Sequence, residues 1–367
     1  MKITRILLWH VPLTSHATYY MAAGKKCATV ETVVIAVEVD SGLTGWGEVC
    51  PIPHYLPAYA RGVAPALGEL APFLIGADPL GAGALTARVA ACLPGHLYVR
   101  SALDIAFWDL TGKAADLPLF ALLGGRRQAD LSLYHSITCC DPEEMVRIAR
   151  DAQDAGMQQF QVKLGADDDW RADVERLTKV RAAVGPGPLV YGDWNCGATS
   201  LTASRVGRAV AHLDVMLEQP CSTLEDCARV RVASGLPMKL DELAHDTDSL
   251  LTAHRLGILD AVALKLSKFG GLTALHQARD LCQYLGPMLC IEDTWGSDIT
   301  MAAALHLGAA TDPARVLNVC DLSGYVAPRL APNGPTRKAG RIAPPEGPGL
   351  GVAPDLDLLG PPDMIVD

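Results

Sequence analysis

Eight short apolar segments recur every 23 to 30 residues through the later part of the chain, and the later ones end in a polar or ionisable residue. The stretches between them are amphipathic, and those at 142–156 and 173–185 end in a glycine suited to closing a helix. Strands that alternate with helices at this spacing predict an α/β fold closed into a (β/α)₈ barrel of the TIM type, for which about 190 to 200 residues suffice. An open doubly wound sheet is the competing topology. The predicted strands are residues 131–137, 159–163, 189–193, 215–218, 238–241, 261–265, 288–293 and 316–321.

A different pattern precedes this repeat. Residues 32–49 alternate around the turn sequence Asp40-Ser41-Gly42, which predicts a hairpin, and helical stretches follow near 58–74, 80–92 and 101–115. Strands followed by helices predict a small α+β capping domain over residues 1–125. The barrel then spans 126–326. The proline- and glycine-rich segment 327–367 is predicted to leave the barrel and pack back on the capping domain.

Composition excludes several classes of partner. The 367 residues carry a net charge of −10 with acids and bases interspersed, so no basic stripe is offered to a nucleic acid or to an anionic membrane. The apolar start is interrupted by His10 and Pro12, and no segment reaches the ~20 apolar residues of a membrane span. Eleven cysteines without a C-x-x-C pair indicate reduced thiols and a cytoplasmic location.

The predicted strand ends carry an unusual set of residues. Because active-site residues of such barrels come from the C-terminal strand ends, these side chains are expected to point into one bowl. A lone carboxylate there could be an ordinary loop residue, but three at spacings of 25 and 23, between two lysines, indicate a site. Hard oxygen ligands of this kind predict one Mg²⁺ per subunit, without which the acids would repel one another. The predicted metal ligands are Asp193, Glu218 and Asp241, and the predicted acid and base are Lys163 and Lys265.

The two lysines suit proton transfer at the carbon next to a substrate carboxylate. They lie on either side of the acidic set in strand order, so a carbon between them could be approached from both faces. A carboxylate bound to Mg²⁺ would be stabilised as the enediolate that forms when the neighbouring carbon loses its proton. A lysine can act as the base only if its pKa is lowered, which burial and nearby cations favour. A surface lysine just past a strand is the alternative interpretation of Lys163.

Several segments resemble a known family. The sequences QVKLG, YGDWN, MLEQP, MKLDE and ALKLSKFGGL, in this order, are similar to those of the enolase superfamily and of its muconate lactonizing enzyme subgroup (the mandelate racemase/muconate lactonizing enzyme family). The resemblance spans nearly the whole chain. It implies an enolase-type barrel, the acid/base pair Lys163 and Lys265, and the metal ligands Asp193, Glu218 and Asp241. Where many relatives have K-x-K, this chain has Gln161-Val162-Lys163, and Lys268 could supply the extra cation near Lys265.

Within that family the resemblance is strongest to 4-hydroxyproline betaine 2-epimerases and cis-3-hydroxy-L-proline dehydratases, through Pro94-Gly95-His96-Leu97-Tyr98 and Asp293-Thr294-Trp295-Gly296. Two acids beyond the predicted metal ligands, Asp293 and Asp321, suggest a substrate that carries an ammonium group as well as a carboxylate. Betaine binding would call for an aromatic face near the end of strand eight, where this chain has Cys320-Asp321, so a protonated amine is preferred. Capping of the following segment is the alternative role for Asp321. The predicted substrate contacts are Tyr19, Tyr20, Tyr55, Gln161, Asn195, Asp293, Trp295 and Asp321, and His54 is a further candidate in the capping domain.

These features predict an isomerase that racemises or epimerises an amino or imino acid such as a proline or hydroxyproline derivative, betaines included. Dehydration of cis-3-hydroxy-L-proline or a similar hydroxy acid begins with the same proton abstraction and is the main alternative. A Schiff-base lysine aldolase and a barrel without catalytic activity are weaker alternatives. The expected partner is a small carboxylate, and the chain is expected to form a homo-oligomer.

Overall fold

A computed structural model describes all 367 residues. The N-terminal unit is an antiparallel sheet of β1 (Ile3–Tyr20), β2 (Lys26–Val39) and β3 (Thr44–Val49). β2 and β3 form the predicted hairpin, with Gly42 at φ 85° in its turn, a conformation that glycine adopts without strain. β1 was not predicted as a strand, because His10 and Pro12 interrupt its apolar pattern. It pairs with β2 over most of its length.

Four helices complete this unit: α1 (Val63–Leu74), α2 (Ala82–Cys92), α3 (Leu97–Ala115) and α4 (Leu119–Leu122). The first two lie in the predicted helical stretches, and α3 begins before the predicted stretch 101–115 and ends with it. α3 packs closely on β3, and glycine permits this approach: a Cβ atom at Gly47 would lie 1.9 Å from the carbonyl oxygen of Ala102. The glycines of the sequence Thr44-Gly-Trp-Gly-Glu48 are therefore required for helix and sheet to pack together.

Eight parallel strands form a closed barrel in chain order, because the eighth strand also pairs with the first. This confirms the predicted fold. The strands are β4 (Leu131–Ile137), β5 (Gln159–Lys163), β6 (Leu189–Asp193), β7 (Met216–Glu218), β8 (Met238–Leu240), β9 (Ala261–Lys265), β10 (Met288–Glu292) and β11 (Val316–Cys320). The helices around them are α5 (Pro142–Asp154), α6 (Arg171–Val184), α7 (Ser200–Val210), α8 (Leu224–Ser234), α9 (Thr247–Arg255), α10 (Leu266–Phe269), α11 (Leu272–Leu285) and α12 (Asp298–Ala309).

The ends of three barrel strands differ by one residue from the prediction. β8, β10 and β11 stop before Asp241, Asp293 and Asp321, respectively. In the β9–β10 pair, Lys265 is level with Glu292. Because successive strand residues face opposite sides, this difference changes which acid of the seventh strand faces the barrel interior.

The C-terminal segment contacts both units. It contains β12 (Val326–Ala327), β13 (Thr336–Lys338), β14 (Arg341–Ala343), α13 (Leu356–Leu359) and β15 (Met364–Val366). β12 and β15 pair with β1 of the capping domain, whereas β14 of the β13–β14 hairpin pairs with barrel strand β4. No helix is both long and apolar enough to cross a membrane, and all eleven cysteines are unpaired.

Candidate active site

A cavity of about 50 Å³ lies at the C-terminal ends of the barrel strands, beneath the capping domain. Nine residues selected from the sequence line it. They come from the ends of five barrel strands, from the end of β1 and from the loop after β3. These residues are Tyr19, Tyr55, Gln161, Lys163, Asn195, Asp241, Lys265, Asp293 and Trp295.

Lys163 ends β5 and is level with Asp193 at the end of β6. Its Nζ lies 2.5 Å from Asp193 Oδ2 and 3.0 Å from Asn195 Oδ1. The ring of Tyr19 covers it, with Nζ 5.9 Å from the ring centroid. Burial lowers the pKa of Lys163, but Asp193 and the other nearby groups outweigh burial and raise that pKa well above its usual range. In this arrangement Lys163 is an ammonium.

Lys265 ends β9, which is four positions from β5 in the ring of eight and therefore opposite to it. Its Nζ lies 2.7 Å from Asp241 Oδ2 and 3.6 Å from Glu292 Oε1. The ring centroid of Tyr55 is 5.3 Å away. As for Lys163, burial lowers the pKa of Lys265. The nearby Asp241 and Glu292 outweigh burial and raise that pKa well above its usual range.

The three carboxylates predicted to bind a metal are buried, and each contacts a lysine. Asp193 contacts Lys163 and Asp241 contacts Lys265, as described above. Glu218 lies 2.9 Å from Nζ of Lys239, a fully buried lysine whose ammonium also lies 4.7 Å from the ring centroid of Tyr191.

The amide of Gln161 joins two of these acids. Its Nε2 donates to Glu218 Oε2 at 2.7 Å and to Asp193 Oδ2 at 3.2 Å. Gln161 makes no hydrogen bond to the third acid, Asp241. Asp241 Oδ1 accepts a hydrogen bond from Lys268, whose Nζ lies 3.0 Å away. Lys268 thus lies where the sequence suggested an additional cation near Lys265.

The acids show the electrostatic signs of a site for a divalent cation. Burial raises the pKa of Glu218 to about 8, since the negative charges of Asp193 and Asp241 add to burial and Lys239 offsets only part of it. Burial and Asp241 likewise raise the pKa of Glu242 to about 7, and Glu242 Oε2 has no hydrogen-bond partner. Oxygen donors that repel one another in this way fit Mg²⁺.

As oriented here, the acids do not form a set of metal ligands. No three Asp, Glu, His or Cys side chains converge closely enough to hold an ion. The physical reason is that each predicted ligand contacts an ammonium instead. A bound cation would replace those ammoniums as the partner of Asp193, Glu218 and Asp241, whose role as ligands stays a prediction.

Two predicted substrate contacts, Tyr20 and Asp321, are not among the residues that line the cavity. Tyr20 follows Tyr19 on β1, so its ring points the opposite way and is 49% exposed. Asp321 forms an ion pair with Arg337, whose Nε lies 2.6 Å from Oδ2, and its Oδ1 accepts from the backbone N–H of Gly324 at 3.1 Å. Asp321 therefore has the capping role that was its alternative. His54 is also absent from the cavity wall, and its Nε2 lies 3.6 Å from Cys27 Sγ.

Seven lining residues were not predicted from the sequence: Tyr134, Ser136, Glu292, Thr294, Cys320, Leu322 and Tyr325. Glu292 accepts a hydrogen bond of 2.7 Å from Tyr134 Oη and could have been identified only with the exact end of β10. Tyr325 follows the 3₁₀ turn Leu322–Gly324, which returns the chain over the cavity. Its ring lies 6.3 Å from that of Trp295, so it supplies the aromatic face that Cys320-Asp321 lacks.

Both the fold and the cavity define the class of protein: a (β/α)₈-barrel enzyme with a capping domain that closes the C-terminal strand ends. Residues 4–124 match the mandelate racemase/muconate lactonizing enzyme N-terminal domain, and residues 144–358 match the enolase C-terminal domain-like family. The chain belongs to the mandelate racemase/muconate lactonizing enzyme family of the enolase superfamily, whose members use Mg²⁺.

Relatives of this chain catalyse more than one reaction. It is 39% identical to a cis-3-hydroxy-L-proline dehydratase of Roseibium aggregatum over 99% of each chain. It is 26% identical to an N-succinyl-L-Arg/Lys racemase of Bacillus cereus over 88% of each. A crystal structure of a putative mandelate racemase/muconate lactonizing enzyme from Roseovarius nubinhibens, complexed with magnesium, superimposes with a TM-score of 0.94 at 33% identity and full coverage of both chains.

Proposed function

We propose that the protein removes the proton next to the carboxylate of a compact cyclic amino acid and then expels a β-hydroxyl group, as a dehydratase of a 3-hydroxyproline. The observation that carries this proposal is that Lys163 and Lys265 reach one small cavity from opposite strands of the barrel. Groups placed on two sides of one carbon allow one of them to remove a proton while the other delivers a proton on the opposite face.

The cavity supports a small substrate. Its small volume, about 50 Å³, favours a compact substrate over a dipeptide. The buried carboxylates Glu292 and Asp293 lie in its wall and would attract a ring ammonium. Mg²⁺, when bound by Asp193, Glu218 and Asp241, would supply positive charge to the substrate carboxylate as negative charge builds up there.

The geometry of the substrate suits elimination between the two lysines. In cis-3-hydroxyproline the hydroxyl and the carboxylate share one ring face, so the α-hydrogen lies on the opposite face from the hydroxyl. One lysine, as a neutral amine, takes the α-proton as the C3–O bond breaks, and the hydroxyl leaves as water with a proton from the other lysine, which is an ammonium. A C2–C3 double bond remains, and the resulting enamine tautomerises to a cyclic imine. The relative that is 39% identical over 99% of its length supports this outcome.

The test combines product analysis with isotope exchange. The protein would be incubated with Mg²⁺ in D₂O and with the 3-hydroxyprolines, the 4-hydroxyprolines or proline, and followed by NMR. We expect a cyclic imine from a 3-hydroxyproline and α-deuterium in the others. Lys163→Met and Lys265→Met should abolish both, whereas Lys338→Met, at an exposed lysine, should abolish neither. Neither imine nor α-deuterium with any substrate would refute the proposal.

Racemisation or epimerisation is the second candidate. It is favoured by the same placement of a lysine on each side, because one can remove the α-proton and the other can return a proton to the opposite face. The similarity to a racemase supports it. Inversion of optical rotation without imine formation would identify this outcome.

A further inference from the structure

We infer that Thr294 and Trp295, directly after the end region of β10, form a subsite that binds a hydroxyl group of the substrate. The inference deepens the proposed function and rests on it, since it assigns the recognition of the hydroxyl that distinguishes a hydroxyproline from proline.

The two side chains are buried donors without partners. Thr294 is 7% exposed and Trp295 is 8% exposed, and both lie in the cavity wall. Neither Oγ1 of Thr294 nor Nε1 of Trp295 has a hydrogen-bond partner. A buried donor left unsatisfied destabilises the folded state, so native proteins rarely keep one without a use.

Other polar groups of the cavity are already engaged. The carboxylate of Asp293 accepts from the backbone N–H groups of Thr294 at 2.7 Å and Ser267 at 3.1 Å, and also from the Ser267 hydroxyl. Glu292 accepts from the Tyr134 hydroxyl. Among the lining residues, only Thr294 and Trp295 carry a buried side-chain polar atom with no partner.

The chemistry of the pair selects an acceptor. An indole N–H can only donate, whereas a threonine hydroxyl can donate or accept. A substrate hydroxyl can accept from the indole and exchange a hydrogen bond with the threonine. A ring ammonium has no lone pair to accept from the indole, so Trp295 favours a hydroxyl over the amine.

The position of the pair in the barrel gives its orientation relative to the lysines. β10 is the neighbour of β9, with Glu292 level with Lys265, whereas Lys163 lies across the ring. The ring of Trp295 is held edge-on to that of Tyr19 at 6.0 Å. Tyr19 in turn covers Lys163, so a hydroxyl bound by this pair would lie between the two lysines and within the part of the cavity that both reach.

Variants that delete the donors but keep the shapes test the subsite. Thr294→Val and Trp295→Phe should each lower kcat/KM for the 3-hydroxyproline substrate roughly tenfold to a hundredfold, and should weaken its binding by calorimetry. The α-deuterium exchange and the binding of unhydroxylated proline should fall several-fold less than the values for the 3-hydroxyproline, because proline has no hydroxyl to lose. Trp170→Phe and Thr336→Val, outside the cavity, are the matched controls.

The outcomes separate the two ideas. Equal losses with proline and with the hydroxylated substrate, or no loss with either, would overturn the hydroxyl subsite while leaving the proposed function intact. Absence of exchange and of elimination in the wild-type protein, with every substrate, would instead overturn the proposed function. A selective loss with the hydroxylated substrate would support both.

Discussion

Lys163 and Lys265 occupy equivalent environments on opposite sides of the barrel. Each ammonium contacts one acid of the predicted metal-binding set, Asp193 or Asp241, and each lies over the ring of one capping-domain tyrosine, Tyr19 or Tyr55. A cation held by both a carboxylate and an aromatic face is fixed in direction. The capping domain therefore contributes directly to the placement of both lysines.

Residue positions at the strand ends could be predicted from the sequence only in part, and the roles of these residues stay predictions. Lys163, Asp193, Glu218 and Lys265 end their strands as expected, because each closes an apolar run. Asp293 and Asp321 lie one residue past theirs, so Glu292 takes the position level with Lys265. A pattern of residue types cannot resolve a difference of one residue at a strand end, although that difference reverses the side that a residue faces.

Loss of charge at Asp293 and at Asp321, the two acids that were predicted to contact substrate, should affect kcat/KM differently. Asp293→Asn should lower kcat/KM by at least tenfold, because Asp293 is buried in the cavity wall and accepts from both the backbone and the hydroxyl of Ser267. Asp321→Asn should leave kcat/KM within about twofold, since this side chain pairs with Arg337 outside the cavity. Steady-state kinetics on the purified variants measure both. A strong loss of kcat/KM in Asp321→Asn would contradict the placement of Asp321.

Binding of Mg²⁺ should stabilise the protein through its acids. A ligand that binds only the folded state at a hundred times its Kd adds about 2.7 kcal/mol, so the melting temperature should rise on addition of Mg²⁺ and fall again with EDTA. Glu218→Gln should abolish most of this rise by removing one of the mutually repelling carboxylates. Asp321→Asn serves as the control and should retain it. The ligand assignment fails if Mg²⁺ leaves the melting temperature of the wild type unchanged or raises that of Glu218→Gln equally.

Helix α12 is a buried barrel helix that contacts several other parts of the molecule. All twelve of its residues are buried, and its first turn follows the loop that carries Trp295. Near its other end, His306 Nδ1 accepts from the backbone N–H of Phe120 at 3.2 Å, and Nε2 donates to the carbonyl oxygen of Leu350 at 3.0 Å. This helix thus joins the barrel to α4 and to the C-terminal segment.

Helices and strands whose apolar residues recur with one clear period were predictable from the sequence. Strands that are established only by pairing with a distant segment were not. The barrel strands are short apolar runs between amphipathic helices, so the sequence alone indicates them. β1 contains Pro12, which lacks an N–H, and only pairing with β2 establishes it as a strand. The three-residue strands β13 and β14 carry no periodicity of their own and are defined by their pairing with each other and with β4.

His306 should make stability depend on pH. Burial lowers the pKa of His306 to about 4, below its unfolded value of about 6.5, so the unfolded chain takes up a proton first. The contribution is therefore fully present above pH 6.5 and is lost as the pH falls from 6.5 towards 4, by about 3 kcal/mol. Urea unfolding at several pH values should show this loss in the wild type and not in His306→Gln, whose amide can make the same two hydrogen bonds. His254→Gln, on the exposed side of α9, should behave as the wild type, and parallel pH profiles for the wild type and His306→Gln would contradict the assignment.

The capping domain and the barrel form one structure around the cavity. The division into two units was visible in the sequence as a change from strands followed by helices to strands alternating with helices. The contacts that attach one unit to the other were not visible in the sequence, because they depend on single buried polar residues. Asp104 on α3 is one of them: its carboxylate accepts from the backbone N–H of Thr273 at 2.8 Å and from its hydroxyl at 2.6 Å. Glu48 on β3 is another, and it reaches the loop that carries Trp295.

Loss of the Glu48 carboxylate should uncouple the two units and disturb the active site. Glu48 is fully buried and accepts from the backbone N–H groups of Ser297 and Thr300 at 2.8 and 2.9 Å, and from both of their hydroxyls at 2.8 Å, so a residue of one unit caps a helix of the other. Glu48→Gln removes the negative charge from this helix N-terminus and offers it an N–H₂ group instead. We expect a loss of roughly 2 to 4 kcal/mol in the free energy of unfolding and a lower kcat/KM, because Trp295 lies two residues before Ser297.

Asp141→Asn, at the exposed cap of α5, is the control and should lower the free energy of unfolding by at most about 1 kcal/mol and leave kcat/KM unchanged. Wild-type stability and kcat/KM in Glu48→Gln would show that the helix does not depend on this cap.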